Sequence, residues 1–491
     1  MNVRLVAFVL GIAVAALPVP AARAQEPEVD AKRLLLDPDP EMRRRGLRAL
    51  LGRGDEETMK LVVPLLDDRD PWCRDYASVR ILSAAKGPAA VKVVVERAPR
   101  VSTNAGRLAA ADALAGIQEP AALAGLHHLA SDRDARVRET ALDALGRLAP
   151  PGAPEVEARL RLALADFVPG VRAAALEALV RGKAADVADL LEKAAADAAP
   201  GVRTASASLL AAHLPDRFAA SFAALAADPD WGVRWTAARG AASLSKAPPM
   251  EALLALLEDP RMRVADAAHD SLREISGLDL PPLRKEWSEW WERTKDRWKG
   301  GAGTRLPDAE RPSVALYHGL PFRSNAVLFV VDLSGSMDTP LGAVDARPRI
   351  VVAGEELVRT LNALPDTASA DLLAYMLEPA RALGKLLPLK GGNRAKIGKW
   401  LERQARGKRG DMGAALVASI LDGEADTVLF LGDGNPSAGD CLFRERILER
   451  MRQARRLRPV AIHAVACGAK PADRQFLEAI AEATGGTCVE R

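Results

Sequence analysis

The sequence predicts two fold classes in one chain: an all-α solenoid of stacked helix pairs, then a doubly wound α/β domain. Three observations predict them. A phrase recurs eight times between residues 37 and 275 at a period near 31 residues. From residue 326 the pattern changes to buried apolar runs alternating with amphipathic stretches. The 491 residues include only 9 Phe, 8 Trp and 3 Tyr, so Ala, Leu and Val must fill the interior, which suits close-packed helices. Apolar residues at 49% and charged residues at 27% exclude a disordered, collagenous or multi-span membrane chain. The balance of 68 basic against 65 acidic residues, +3, is too small to make nucleic acid the main partner.

Residues 1–24 read as an export signal. Arg4 precedes an apolar run at 5–17, and Ala22-Arg23-Ala24 supplies the small-x-small pattern of a cleavage site before Gln25. The run is too short for a bilayer span, which needs about 20 residues. No later stretch reaches that length, so the expected product is exported, without a transmembrane span after signal removal, to a periplasmic, cell-envelope or extracellular location. Four cysteines (Cys73, Cys441, Cys467, Cys488) are too few for a disulfide scaffold, and pairing of Cys467 with Cys488 stays open.

The solenoid is assigned to residues 31–280. Taking one apolar position as the anchor, its equivalents are Met42, Cys73, Gly106, Val137, Val171, Val202, Val233 and Val264, spaced by 31, 33, 31, 34, 31, 31 and 31 residues. Four residues on, the side chain is always small (Gly46, Ala77, Ala110, Ala141, Ala175, Ser206, Ala237, Ala268), and eight residues on it is Leu or Ile except at Ala241. These three positions share one helical face, so each unit buries a stripe whose small middle residue admits a neighbouring helix. Arg follows the anchor in every unit but the last, and is expected to pair with Asp or backbone carbonyls of adjacent units. Asp stands five residues before the anchor at Asp37, Asp68, Asp132, Asp166, Asp228 and Asp259, three times followed by Pro, as at a turn or helix start. The phrase DPxxxVRxxAxxAL resembles the short HEAT-like repeats related to those of phycobilisome lyases. The resemblance implies a solenoid that holds partners.

Residues 281–312 are read as a Trp-rich helix and linker. Trp287, Trp290, Trp291 and Trp298 share one face, expected to cap the open end of the array or dock it on the next domain, and 299–304 is glycine-rich. Residues 313–491 are expected to fold as a unit of their own behind that linker.

In this last region strands are expected at 326–331, 370–376, 427–431, 460–466 and 487–490, and helices at 349–364, 393–405, 441–457 and 472–484. Two strands run into acids, Asp332 and Asp433, which places both beyond the carboxyl ends of central strands, where open α/β sheets bind ligands. The first loop, Asp332-Leu333-Ser334-Gly335-Ser336-Met337, sets two hydroxyls beside a carboxylate. These are hard oxygen donors of the kind Mg²⁺ takes, and Asp433 is placed to close the sphere.

DLSGSM together with FLGDG resembles the von Willebrand factor A (vWA) domain and its metal-ion-dependent adhesion site. The resemblance implies a bound Mg²⁺, or Mn²⁺ or Ca²⁺, ligated directly by Ser334 and Ser336 and held through water by Asp332 and Asp433. It also implies a Thr ligand in a GTxxxxAL loop, but this chain has Gly410 at that position, followed by Asp411. Either Asp411 substitutes as a ligand or the site is weakened.

An undercompensated ion attracts a partner's carboxylate, and Lys399, Arg403, Arg406, Lys408 and Arg409 before the ligand loop favour an acidic partner. The expected function is therefore non-enzymatic, metal-dependent binding of a partner protein. A Mg²⁺-dependent hydrolase and a structural scaffold with a vestigial metal site are the alternatives. The hydrolase is disfavoured because the sequence carries no P-loop, GxSxG or HExxH.

Overall fold

The computed structural model describes residues 30–244, 249–298, 312–341 and 345–491. The export signal at 1–24 and the glycine-rich linker at 299–304 lie outside the described residues. Two compact units divide the chain, Met1–Ala149 and Pro150–Arg491.

Each unit contains four helix pairs of the repeat. The first runs from Ala31–Leu35 with Pro40–Ala49 to Ala122–Leu129 with Ala135–Leu148, and the second from Pro154–Ala163 with Pro169–Arg181 to Met250–Ala255 with Met262–Ser276. The predicted stripe is the buried one: Val137, Ala141 and Leu145 in the first unit and Val171, Ala175 and Leu179 in the second are each 0–1% exposed.

The arginine after the anchor forms the expected ladder. Arg43, Arg107, Arg172, Arg203 and Arg234 reach Asp68, Asp132, Asp197, Asp228 and Asp259 at 2.5–2.7 Å. Each also donates to a backbone carbonyl five or six residues earlier. The receiving aspartate accepts the N–H two residues on at 2.8 Å, which sets the turn into the following helix. Asp197 takes this role as well, although it is absent from the six repeat aspartates picked out by sequence.

The α/β region opens with a hairpin, β1 (Ala315–Tyr317) and β2 (Leu320–Phe322). The main sheet comprises β3 (Ala326–Asp332), β4 (Ser369–Tyr375), β5 (Pro379–Arg381), β6 (Leu387–Pro388), β7 (Thr427–Gly432), β8 (Ala461–Ala466) and β9 (Cys488–Glu490). Its order is β5-β4-β3-β7-β8-β9, with β6 also on β4; pairing is parallel from β4 to β9 and antiparallel at β5 and β6. All five predicted strands and all four predicted helices are present.

Alternate residues of β3 serve two cores. Val327, Phe329 and Val331 pack with helices Arg349–Ala363 and Asn393–Glu402, while Ala326, Leu328 and Val330 face Met412–Leu421, Arg444–Leu457 and Pro471–Thr484. Burial on both faces explains why these strands read as continuous apolar runs.

The second core continues into the repeats. Leu176, Leu210, Val233, Val264 and Trp290 belong to the same cluster as Val428, Ile447 and Ile462. Polar contacts fasten the chain just ahead of the strands to the repeat helices. Asn325 Nδ2 donates to Pro260 O (2.7 Å), Arg263 Nη1 donates to Asp426 O (2.8 Å) and Pro459 O (2.6 Å), and Trp231 Nε1 donates to Gly423 O (2.9 Å). Arg458 pairs with Asp230 at 2.5 Å, and Arg456 with Glu177 at 2.8 Å. The repeats thus hold the amino-terminal edge of the sheet. The tryptophan stripe closes the array: Trp287 is fully buried, stacks edge-on with His269 and Trp290 and donates to Pro281 O, and Trp290 meets Trp298.

All four cysteines are free thiols, Cys467 and Cys488 included. Among the described residues, no helix is long and apolar enough to cross a membrane.

Candidate metal centre

β3 and β7 are parallel neighbours, so Asp332 at the end of one and Asp433 just past the end of the other come to the same carboxyl-terminal edge. The closeness has a cause in the sequence: a Cβ on Gly432 would lie 3.4 Å from the Asp332 Cβ. Beyond Asp332 the chain turns at once, because the Ser334 N–H donates to Asp332 Oδ1 at 2.7 Å and a tight helical turn follows at Gly335–Asp338. That turn brings Ser334 Oγ within 3.0 Å of Ser336 Oγ. Asp433 Oδ1 accepts the Asn435 N–H at 3.0 Å, a second turn of the same kind.

Asp332, Ser334 and Asp433 are buried, and Ser336 is half-buried. Burial, reinforced by the charge of Asp433, raises the Asp332 carboxyl to about 6 despite its bonds from Ser334 and Tyr375. Arg349, the first residue of Arg349–Ala363, stands 3.9 Å from Asp433 Oδ2 and donates to Gly468 O at 3.1 Å.

Asp411 stands one residue past Gly410. Its N–H donates to Met376 O, and its Oδ1 caps Met412–Leu421 by accepting from the Ala414 N–H at 2.9 Å, so this carboxylate serves the helix that follows it. Gly410 is held by Ser437, whose Oγ accepts its N–H at 2.9 Å. The segment before it lies along the serine loop: the Gly407 N–H donates to Leu333 O, and the exposed Arg406 pairs with Asp338 at 2.9 Å. Lys408 and Arg409 are also exposed there, giving the site a basic rim.

Two residues at the site were not foreseen. Tyr375, paired with Asp332 across β3 and β4, donates its hydroxyl to Asp332 Oδ2 at 3.0 Å, and Arg349 supplies a fixed cation. Strand register was the only signal for Tyr375, and Arg349 left none.

The donor set fits a hard divalent cation. Two buried carboxylates and two hydroxyls lie at one edge of the sheet, hard oxygen donors without a thiol or imidazole among them. Among the described residues, no group of three or more His, Cys, Asp or Glu is arranged to hold a metal.

A family model described as HEAT repeats matches residues 102–161. No curated relative matches the chain. Among solved structures, it is similar to a von Willebrand factor type A protein from Catenulispora acidiphila at 22% identity, over 35% of this chain and 40% of that one, with a TM-score of 0.29. It is also similar to the CpcE–CpcF complex of phycocyanin lyase from Nostoc (17%, 57% and 98%, TM-score 0.25) and to human deoxyhypusine hydroxylase (22%, 49% and 93%, TM-score 0.23). The chain therefore spans less than half the length of that type A protein. Four helix pairs of the repeat in each compact unit, a HEAT match at residues 102–161, and a parallel sheet with DxSxS at its carboxyl edge define the architecture: HEAT-like repeats joined to a vWA-like α/β domain.

Proposed function

We propose that this protein is an exported, non-enzymatic binder, in which the HEAT-like array presents a divalent-metal site on the vWA-like domain to a partner protein. The observation that carries this reading is the gathering of Asp332, Ser334, Ser336 and Asp433 on the sheet edge opposite the one the repeats hold. Ser334 and Ser336 would hold Mg²⁺ directly, and Asp332 and Asp433 from further out. Asp411 adds negative charge nearby. When bound, the ion supplies an attraction for a carboxylate of the partner.

The chain's own residues do the rest. The Asp332 and Asp433 turns orient the loops, Arg349 offsets part of the carboxylate charge, and the rim of Arg406, Lys408 and Arg409 favours an acidic approach. Both folds are ones on which protein-interaction modules are commonly built.

The test is calorimetry of the full chain with Mg²⁺ and Mn²⁺ at millimolar concentration, followed by capture from envelope extract with Mg²⁺ and with chelator. Metal uptake and chelator-sensitive capture are expected. Absence of binding heat would leave the scaffold alternative, and metal-dependent turnover in a hydrolase screen would favour the enzyme.

A further inference from the structure

We infer that Tyr375 and Gly410 are a matched pair: the tyrosine ring occupies the side-chain space of residue 410, and its hydroxyl holds Asp332 in place for the metal. The inference rests on the metal reading above and assigns a positioning residue to that site.

Gly410 is not among the glycines with left-handed backbone, so its conformation does not call for glycine. Its surroundings do. A Cβ there would lie 3.0 Å from Tyr375 Cε2 and 3.4 Å from Asp332 Oδ1, between the ring and the carboxylate. The ring has no room to retreat, since Tyr375 is 1% exposed, sits in register with Asp332 and stacks on Phe430 at 6.0 Å. Its hydroxyl donates to Asp332 Oδ2 at 3.0 Å while the Ser334 N–H takes Oδ1, so both carboxylate oxygens are oriented by the protein. Partners that orient a metal-holding carboxylate in this way typically govern affinity by about 10- to 100-fold. In this chain a hydroxyl therefore reaches Asp332 from β4, and the neighbouring loop must be bare at residue 410 to admit it.

Two measurements on the full chain test the pair. Tyr375→Phe keeps the ring and removes only the hydroxyl; Mg²⁺ and Mn²⁺ calorimetry should show affinity falling by about 10-fold or more, with the melting temperature close to wild type. Wild-type affinity in Tyr375→Phe would overturn the positioning role while leaving the metal reading intact. If the wild-type chain takes up neither metal, the metal reading falls, and Tyr375's role toward the metal with it. The shared space is read separately by melting. Gly410→Thr alone should destabilise, and Gly410→Thr with Tyr375→Ala should be more stable than the two single effects added. Strict additivity would overturn the pairing whatever the metal result.

Discussion

Both oxygens of Asp332 are engaged by the protein itself, one by the Ser334 N–H and one by the Tyr375 hydroxyl, which leaves the serine hydroxyls as the adjustable donors. Mg²⁺ at 100 times its dissociation constant should stabilise the chain by about 2.7 kcal/mol, and Ser336→Ala should reduce the gain in melting temperature measured with and without metal. Asp411→Asn separates capping from charge. Asn caps a helix as well as Asp does, so stability without metal should hold while Mg²⁺ affinity falls in calorimetry. His318 gives the chain an acid sensitivity of its own. Burial first, and then the charges of Arg491 and Arg359, lower it from 6.5 to about 4, so below 6.5 the unfolded chain binds more protons than the native one. Stability should accordingly decline as pH falls from 6.5 through 4. His318→Asn, which tolerates the left-handed backbone at φ 50°, should flatten that slope in melts across the range. At this scale, the sequence made Asp332, Ser334, Ser336 and Asp433 legible because strand ends and oxygen donors are local patterns. Tyr375 and Arg349 were hidden because their roles come from pairing between distant segments.

At the scale of the element, the repeat unit works as a joint. Its small residue lets helices approach, and its arginine, at Arg43, Arg107, Arg172, Arg203 and Arg234, ties the unit to an aspartate 25 residues on. Ala175→Leu should overpack the buried stripe and cost about 1–3 kcal/mol in denaturant unfolding. These features were readable because each recurs at a fixed offset. Helix Met412–Leu421 was not readable: Ala415, Leu416 and Ile420 are buried against the sheet and Met451, and a helix that is apolar on most sides carries no amphipathic period. The β1–β2 hairpin and the short strands β5 and β6 were missed for want of length, since two or three residues show no alternation.

For the whole molecule, composition marks residue 300 as a frontier, yet the compact unit runs from Pro150 to the C-terminus because the repeats and the sheet share apolar contacts that no local pattern announces. Arg263 illustrates the point: it is half-buried with its guanidinium on the Asp426 and Pro459 carbonyls and 4.9 Å from the Trp235 ring centroid, and desolvation of the guanidinium lowers its pKa to about 10. Residues 150–491 should therefore melt in one transition by calorimetry, whereas residues 313–491 alone should melt lower and bind a hydrophobic dye. The two opposed edges of the sheet also define a route for mechanical load. A partner pulling at the carboxyl edge would draw β3 and β7 along their own axes, and parallel neighbours share such a pull across all their cross-strand bonds at once. The Asn325, Arg263 and Trp231 contacts are then the anchorage at which such tension passes from the sheet into the repeat helices of residues 150–276.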